Sequence, residues 1–213
     1  MNPNLIETIL IDGPPLILAI TLHEAAHGYV AKLLGDRTAF VLGRVTLNPL
    51  KHIDPIGTIL IPLLLKLSGA PFLFGYAKPV PVNFSALNHP KSDMVWVALA
   101  GPGSNFIQAF IWTLIFSLLP FFSDVPFVME MAKAGIYWNI VLAIFNLFPL
   151  PPLDGGRILV GVLPYQSARF VSQLEPYGFF IVLGLSFVGV LGSLWLEPLV
   201  NLSLSFLNLF IIR

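Results

Sequence analysis

The chain has 213 residues, 56% of them hydrophobic and 10% charged, with 11 basic and 11 acidic side chains and no net charge. A fold of this size leaves a large share of its area exposed, so that much apolar surface cannot all be buried inside it. The excess has to face lipid, which excludes a soluble enzyme and a disordered chain. No basic run exists to neutralise phosphates, which excludes nucleic-acid binding. The absence of cysteine removes disulfides, thiolate metal sites and cysteine nucleophiles together.

The opening MNPNLIETILIDG lacks a basic stretch and a small-residue cleavage site, so no removable signal peptide is expected. A spanning helix needs roughly 20 mostly apolar residues. Residues 14–34 meet that length, with Pro14 and Pro15 expected in the opening turn. Residues 56–67 are shorter, interrupted by Pro62 and followed by Gly69 and Pro71, and read as a re-entrant or partly buried hairpin, with a short span as the alternative. Residues 77–83 are expected to be extended, because Pro79 and Pro81 disfavour helix. Residues 94–119 form the second full span, 134–150 with an approach from 127 the third, and 177–196 the fourth. Residues 199–212 are apolar but short, a tilted last span or an interfacial helix. The expected fold is an all-α polytopic membrane protein with about five to six transmembrane segments and a short re-entrant or hairpin region near residues 40–85. It is expected to form a single domain over 1–213.

Basic residues set the orientation. Arg37, Arg44 and Lys51 follow the first span, Lys78 and Lys91 precede the second, and Arg157 and Arg169 follow the third, while Arg213 closes the chain. Only Lys133, beside Asp124 and Glu130, lies between the second and third spans. This pattern places the N-terminus outside and the basic segments inside.

Ionisable residues inside a membrane are functional by default. His23-Glu24-Ala25-Ala26-His27 falls within the first span. Two imidazoles four residues apart share one helix face and can grip one zinc ion, and Glu24 is placed to take a proton from an activated water. Burying these three groups in an apolar helix is costly unless something compensates. The plain alternative is a pair of packing histidines with a partnered glutamate. Catalytic zinc takes three protein ligands, so one more is needed. Asp12 precedes the first span, and Asp36 and Glu175 lie in loops. Asp154 is the better candidate, at the end of the third span in Asn146-Leu147-Phe148-Pro149-Leu150-Pro151-Pro152-Leu153-Asp154-Gly155-Gly156. Prolines and glycines there break the helix at membrane depth, which is tolerated only inside protein or beside a wet cavity. Because the first and third spans run the same way, His23, His27 and Asp154 are expected at one level near the cytoplasmic leaflet.

The pair His23-Glu24-x-x-His27 and Asn146-x-x-Pro149-x-x-Pro152-x-Asp154-Gly155 resembles the site-2 protease family of intramembrane zinc metalloproteases. Residues 47–55 (LNPLKHIDP), 75–83 (GYAKPVPVN) and 100–105 (AGPGSN) resemble its short prokaryotic branch, which lacks a PDZ domain. The resemblance implies that His23, His27 and Asp154 ligate one Zn2+ per chain. It implies that Glu24 is the general base and later the proton donor to the leaving amine. Asn146 would position substrate or stabilise an oxyanion, a role worth on the order of a hundredfold in rate. The implied substrate is a transmembrane protein or peptide within the lipid bilayer; no oligomeric state follows. Two other readings are a divalent-metal permease or sensor without catalysis, and an inactive protease-like scaffold. Asn105 is weighed between substrate binding and packing across spans. His52 and His89 are expected in solvated or turn-packing roles. Residues 77–83 either pair with an unwound substrate as an added strand or form a rigid surface loop.

Overall fold

The computed structural model describes residues 5–68, 75–122 and 126–211. They form helices without strands, in the order α1 (Leu5–Leu33), α2 (Thr38–Val41), α3 (Ile61–Leu67), α4 (Pro90–Phe122), α5 (Pro126–Asn146), α6 (Asp154–Val162), α7 (Tyr165–Ser172), α8 (Glu175–Phe187) and α9 (Glu197–Leu207). The all-α expectation holds. Three helices, α1, α4 and α5, are long and apolar enough to cross a membrane. The pair α7 and α8, bent by 65°, makes a fourth if it acts as one span. By that measure the described helices do not reach five to six.

The shortfall has local causes. Residues 177–196 are not one helix: α8 stops at Phe187, Gly189 adopts φ +77, and a short π-helical turn resumes at Gly192. That turn runs directly into the 11-residue α9 and a closing 3-10 turn at Asn208–Phe210, so the last apolar stretch is helical through Phe210 but changes its helix type and is not one uniform α-helix. Two further boundaries move. Pro14 and Pro15 lie inside α1 instead of opening it. In lipid the neighbouring backbone groups must stay bonded, so the helix continues on both sides of the prolines. The third span ends at Asn146, because Pro149 cannot extend a helix and disfavours helical geometry at Phe148. Asp154 therefore opens α6, where the positive end of the helix dipole favours an acid, instead of closing the span.

The bundle is apolar outside and polar inside. Ile9, Leu10, Ile17 and Leu18 on α1 and Trp96, Ile107, Ile111 and Leu118 on α4 are exposed, whereas Thr21, Asn105, Gln108, Thr113 and Asn139 are buried. Water would reverse that distribution; lipid produces it. Helices α1, α4 and α5 pack against one another, and α6 packs on α4. Ala19, Ala25 and Ala31 on α1 and Ala98 and Ala109 on α4 are buried, and such small residues let backbones approach closely. A separate core joins Ala109 to Ile136, Ile140 and Ile144 of α5 and to Val200 and Leu207 of α9.

The described parts of residues 40–85 fold back on one another, as expected. Tyr76 N–H donates to Gly57 O at 3.0 Å and Lys78 N–H to His52 O at 2.9 Å. These bonds lay the extended chain over 75–83 beside the π-helical turn Pro55–Leu60 that leads into α3. Gly69, Pro71, Asp124 and Arg213 lie outside the described residues.

Candidate metal centre

Helix α1 presents His23 and His27 on one face, and the start of α6 brings Asp154 to them. Asp154 Oδ2 lies 3.2 Å from His23 Nε2 and 3.3 Å from His27 Nε2, and the two Nε2 atoms are 3.1 Å apart. All three residues are buried. Asp154 Oδ2 has no hydrogen-bond partner. Among the described residues this is the one group of three metal-ligating side chains gathered together. Asp12, Asp36 and Glu175 are not part of it.

These atoms suit a zinc ion. Ligand atoms at about 2.0–2.1 Å on a tetrahedron stand roughly 3.3 Å apart, close to the separations found. A buried carboxylate oxygen without a partner is costly, and a cation between it and two imidazoles removes the cost. Room comes from Gly101 of α4. A Cβ there would stand 2.6 Å from His23 Nε2 and closer still to His27 Nε2. The outer faces of the rings are tied as well: His27 Nδ1 lies 2.7 Å from Val97 O, and His23 Nδ1 2.6 Å from Asn105 Oδ1.

Glu24 is half-buried beside this cluster, and its Oε2 accepts from Val80 N–H at 2.7 Å. The extended segment thus reaches the carboxylate. Arg44 holds it there, donating through Nη2 to Lys78 O at 3.0 Å and Pro79 O at 3.3 Å. Asn146 sits at the end of α5, with its amide donating to Leu142 O of its own helix at 2.9 Å. Asn105 is fully buried, and its amide is engaged by His23, Ala19 O and Asn139. The two remaining histidines differ. His89 is exposed. His52 is buried, with Nε2 at 2.9 Å from Thr46 O, which makes it a turn-packing residue and not a solvated one.

Several contributors escaped the sequence reading. Asn139 was detectable as an amide inside an apolar span, seven residues before Asn146 and so on nearly the same face. Gly178 of α8 is another, since a Cβ there would strike Pro151 O and stand 2.6 Å from Pro152 Cδ. That close approach seats α8 against the loop leading to Asp154. Nothing in the sequence around Gly178 announces its neighbour.

A helical membrane bundle enclosing two histidines and a carboxylate, with a glutamate alongside, defines a membrane protein with a candidate metal centre. The profile described as peptidase family M50 matches residues 122–188. The chain is 44% identical over 197 residues to "Putative zinc metalloprotease YwhC" of Bacillus subtilis, covering 87% of this chain and 84% of that one. It is 28% identical over 184 residues to "Putative zinc metalloprotease Rip2" of Mycolicibacterium smegmatis, covering 85% and 68% respectively. With "Zinc metalloprotease MJ0392" of Methanocaldococcus jannaschii it shares 24% over 149 residues, covering 70% of this chain and 33% of that longer protein. No solved structure matches the chain significantly. The chain belongs to peptidase family M50, the site-2 proteases, whose relatives here carry zinc metalloprotease names.

Proposed function

We propose that the protein is an intramembrane zinc metalloprotease that hydrolyses peptide bonds in or near transmembrane segments of membrane proteins. The observation that carries this reading is the convergence of His23 Nε2, His27 Nε2 and Asp154 Oδ2 within 3.3 Å of one another, beside Glu24 in an apolar bundle. His23, His27 and Asp154 would hold one zinc per chain. When bound, zinc supplies a Lewis acid that polarises the scissile carbonyl and acidifies the attacking water. Glu24 takes the proton of that water as its oxygen bonds to the carbonyl carbon, and returns the proton to the nitrogen as the C–N bond breaks. Val80 N–H, now on Glu24, fixes where that carboxylate points. Asn146 would turn its amide from Leu142 O toward the substrate carbonyl. The catalytic domain spans 1–213, with the N-terminus outside and the site near the cytoplasmic leaflet.

The decisive experiment pairs metal content with turnover of a model transmembrane substrate in detergent. His23→Ala and Asp154→Ala are expected to lose zinc. Glu24→Gln is expected to keep zinc and to lose about 10²–10⁴-fold in rate. A Glu24→Gln variant with undiminished hydrolysis would overturn the assignment of the base. Metal flux altered by the same change, with no hydrolysis in the wild type, would favour a permease.

A further inference from the structure

Both candidate imidazoles are held at Nδ1, the nitrogen turned away from the cluster. For His27 the partner is Val97 O at 2.7 Å. A carbonyl only accepts, so Nδ1 carries the proton, and in the neutral imidazole that a metal ligand must be, Nε2 keeps its lone pair. His23 has a side-chain partner instead, Asn105 at 2.6 Å. An amide can present either its oxygen or its NH2, so Asn105 alone leaves the proton on His23 unassigned.

Two backbone carbonyls assign it. Asn105 Nδ2 lies 3.2 Å from Ala19 O, and Asn139 Nδ2 lies 2.8 Å from Gly135 O. Each carbonyl can only accept, so each amide must turn its NH2 there. Asn139 is left presenting its oxygen, which accepts from Asn105 Nδ2 at 2.8 Å. Asn105 in turn presents its oxygen to His23. Donation therefore runs one way, from a protonated His23 Nδ1 on α1 through Asn105 on α4 to Asn139 and Gly135 O on α5. Both asparagines are fully buried, so no water competes for their amides.

We propose that Asn105 and Asn139 are positioning residues that lock His23 with its proton on Nδ1 and its Nε2 lone pair aimed at the metal. This rests on the metalloprotease reading of the same site. Asn105 therefore holds a ligand and does not bind substrate, and Asn139 keeps Asn105 from turning over. Partners behind a metal-ligating histidine are typically worth 10–100-fold in metal affinity.

The test reads zinc affinity of the purified full-length protein by competition with a chromogenic chelator, together with the visible spectrum of the Co2+-loaded form. Asn105→Leu, which keeps the forked shape and removes the acceptor, is expected to weaken zinc about 10–100-fold and to change the Co2+ spectrum. Asn105→Asp retains an acceptor for the His23 Nδ1 proton but loses the NH2 that met Ala19 O and Asn139, and is expected to recover part of that loss. Asn139→Leu leaves Asn105 anchored by Ala19 O and is expected to cost less than Asn105→Leu. Thr113→Val, buried on the same helix with its hydroxyl on Ala109 O, is expected to bind zinc as the wild type does. Wild-type affinity and spectrum in Asn105→Leu would overturn the proposal. So would equal losses in Asn105→Leu and Asn105→Asp, which would make the role one of packing. A wild-type protein that takes up no zinc would overturn the protease reading itself, and that result is visible before any variant is made.

Discussion

At Gly101 the backbone of α4 passes the two imidazoles with no side chain between them, and the ring atoms of His23 and His27 occupy the space a methyl group would take. This separates stability from function at a single position. Alanine in place of a mid-helix glycine favours the helix by about 1 kcal/mol. The added carbon also pushes His27 or His23 off its rotamer, at roughly 1 kcal/mol or more. Gly101→Ala is therefore expected to melt close to the wild type when both are stripped with chelator, because the two terms nearly cancel, and to bind zinc about tenfold more weakly or worse. Parallel thermal melts and zinc titrations check both halves. A variant that loses stability and keeps its zinc would contradict the geometry. The candidates His23, Glu24 and His27 were legible in the sequence because ionisable groups in an apolar span stand out, and Asp154 because prolines and glycines break the chain around it. Gly101 carries no such mark, since its importance lies in what it leaves empty.

Between elements, Asp36 ties the end of α1 to α2 and to the extended segment that reaches Glu24. Its carboxylate accepts from Thr38 N–H at 2.9 Å, from the Thr38 hydroxyl at 2.5 Å and from Asn83 N–H at 2.7 Å. Burial pushes the Asp36 carboxyl upward, but these three bonds outweigh it and hold the group below its ordinary value. The sign follows from that direction. A carboxyl more acidic in the folded chain than in the unfolded one stabilises the fold fully above the unfolded value of about 3.9. That contribution is lost as pH falls through the lower folded value. Asp36→Asn is expected to cost about 1.5–3 kcal/mol at neutral pH, with the gap to wild type closing as the pH drops below about 4. Thermal melts of both proteins at pH 7 and pH 3 measure it; a gap of equal size at both would remove the charge from the explanation. Helix existence was well predicted at this scale, and helix ends were not. Pro149 stopped α5 where apolar character alone continued, and Gly189 divided a stretch whose hydropathy reads as continuous.

For the molecule as a whole, polar residues inside and apolar residues outside place the bundle in lipid, and the distribution of basic residues proposes which way it faces. The chain contains no cysteine, which makes labelling of introduced ones unambiguous. Ser85 and Glu130 are both exposed, just before α4 and in the first turns of α5. With the N-terminus outside, Glu130→Cys is expected to react with a membrane-impermeant maleimide on intact cells, and Ser85→Cys only after lysis. The opposite pattern would put His23, His27 and Asp154 near the outer leaflet and invert the side from which substrate is released.

The sequence by itself determined the solvent, the helical class and the candidate ligands. Those follow from composition and from short local spacings, which act wherever the chain goes. It did not determine the path from Asn139 through Asn105 to His23, the grip of Val80 on Glu24, or the seating of α8 on the Asp154 loop. Each depends on groups brought within about 3 Å by packing, many of them backbone carbonyls and amides that every residue carries. A backbone group has no identity in the sequence, so only the tertiary structure decides which of them hold the site.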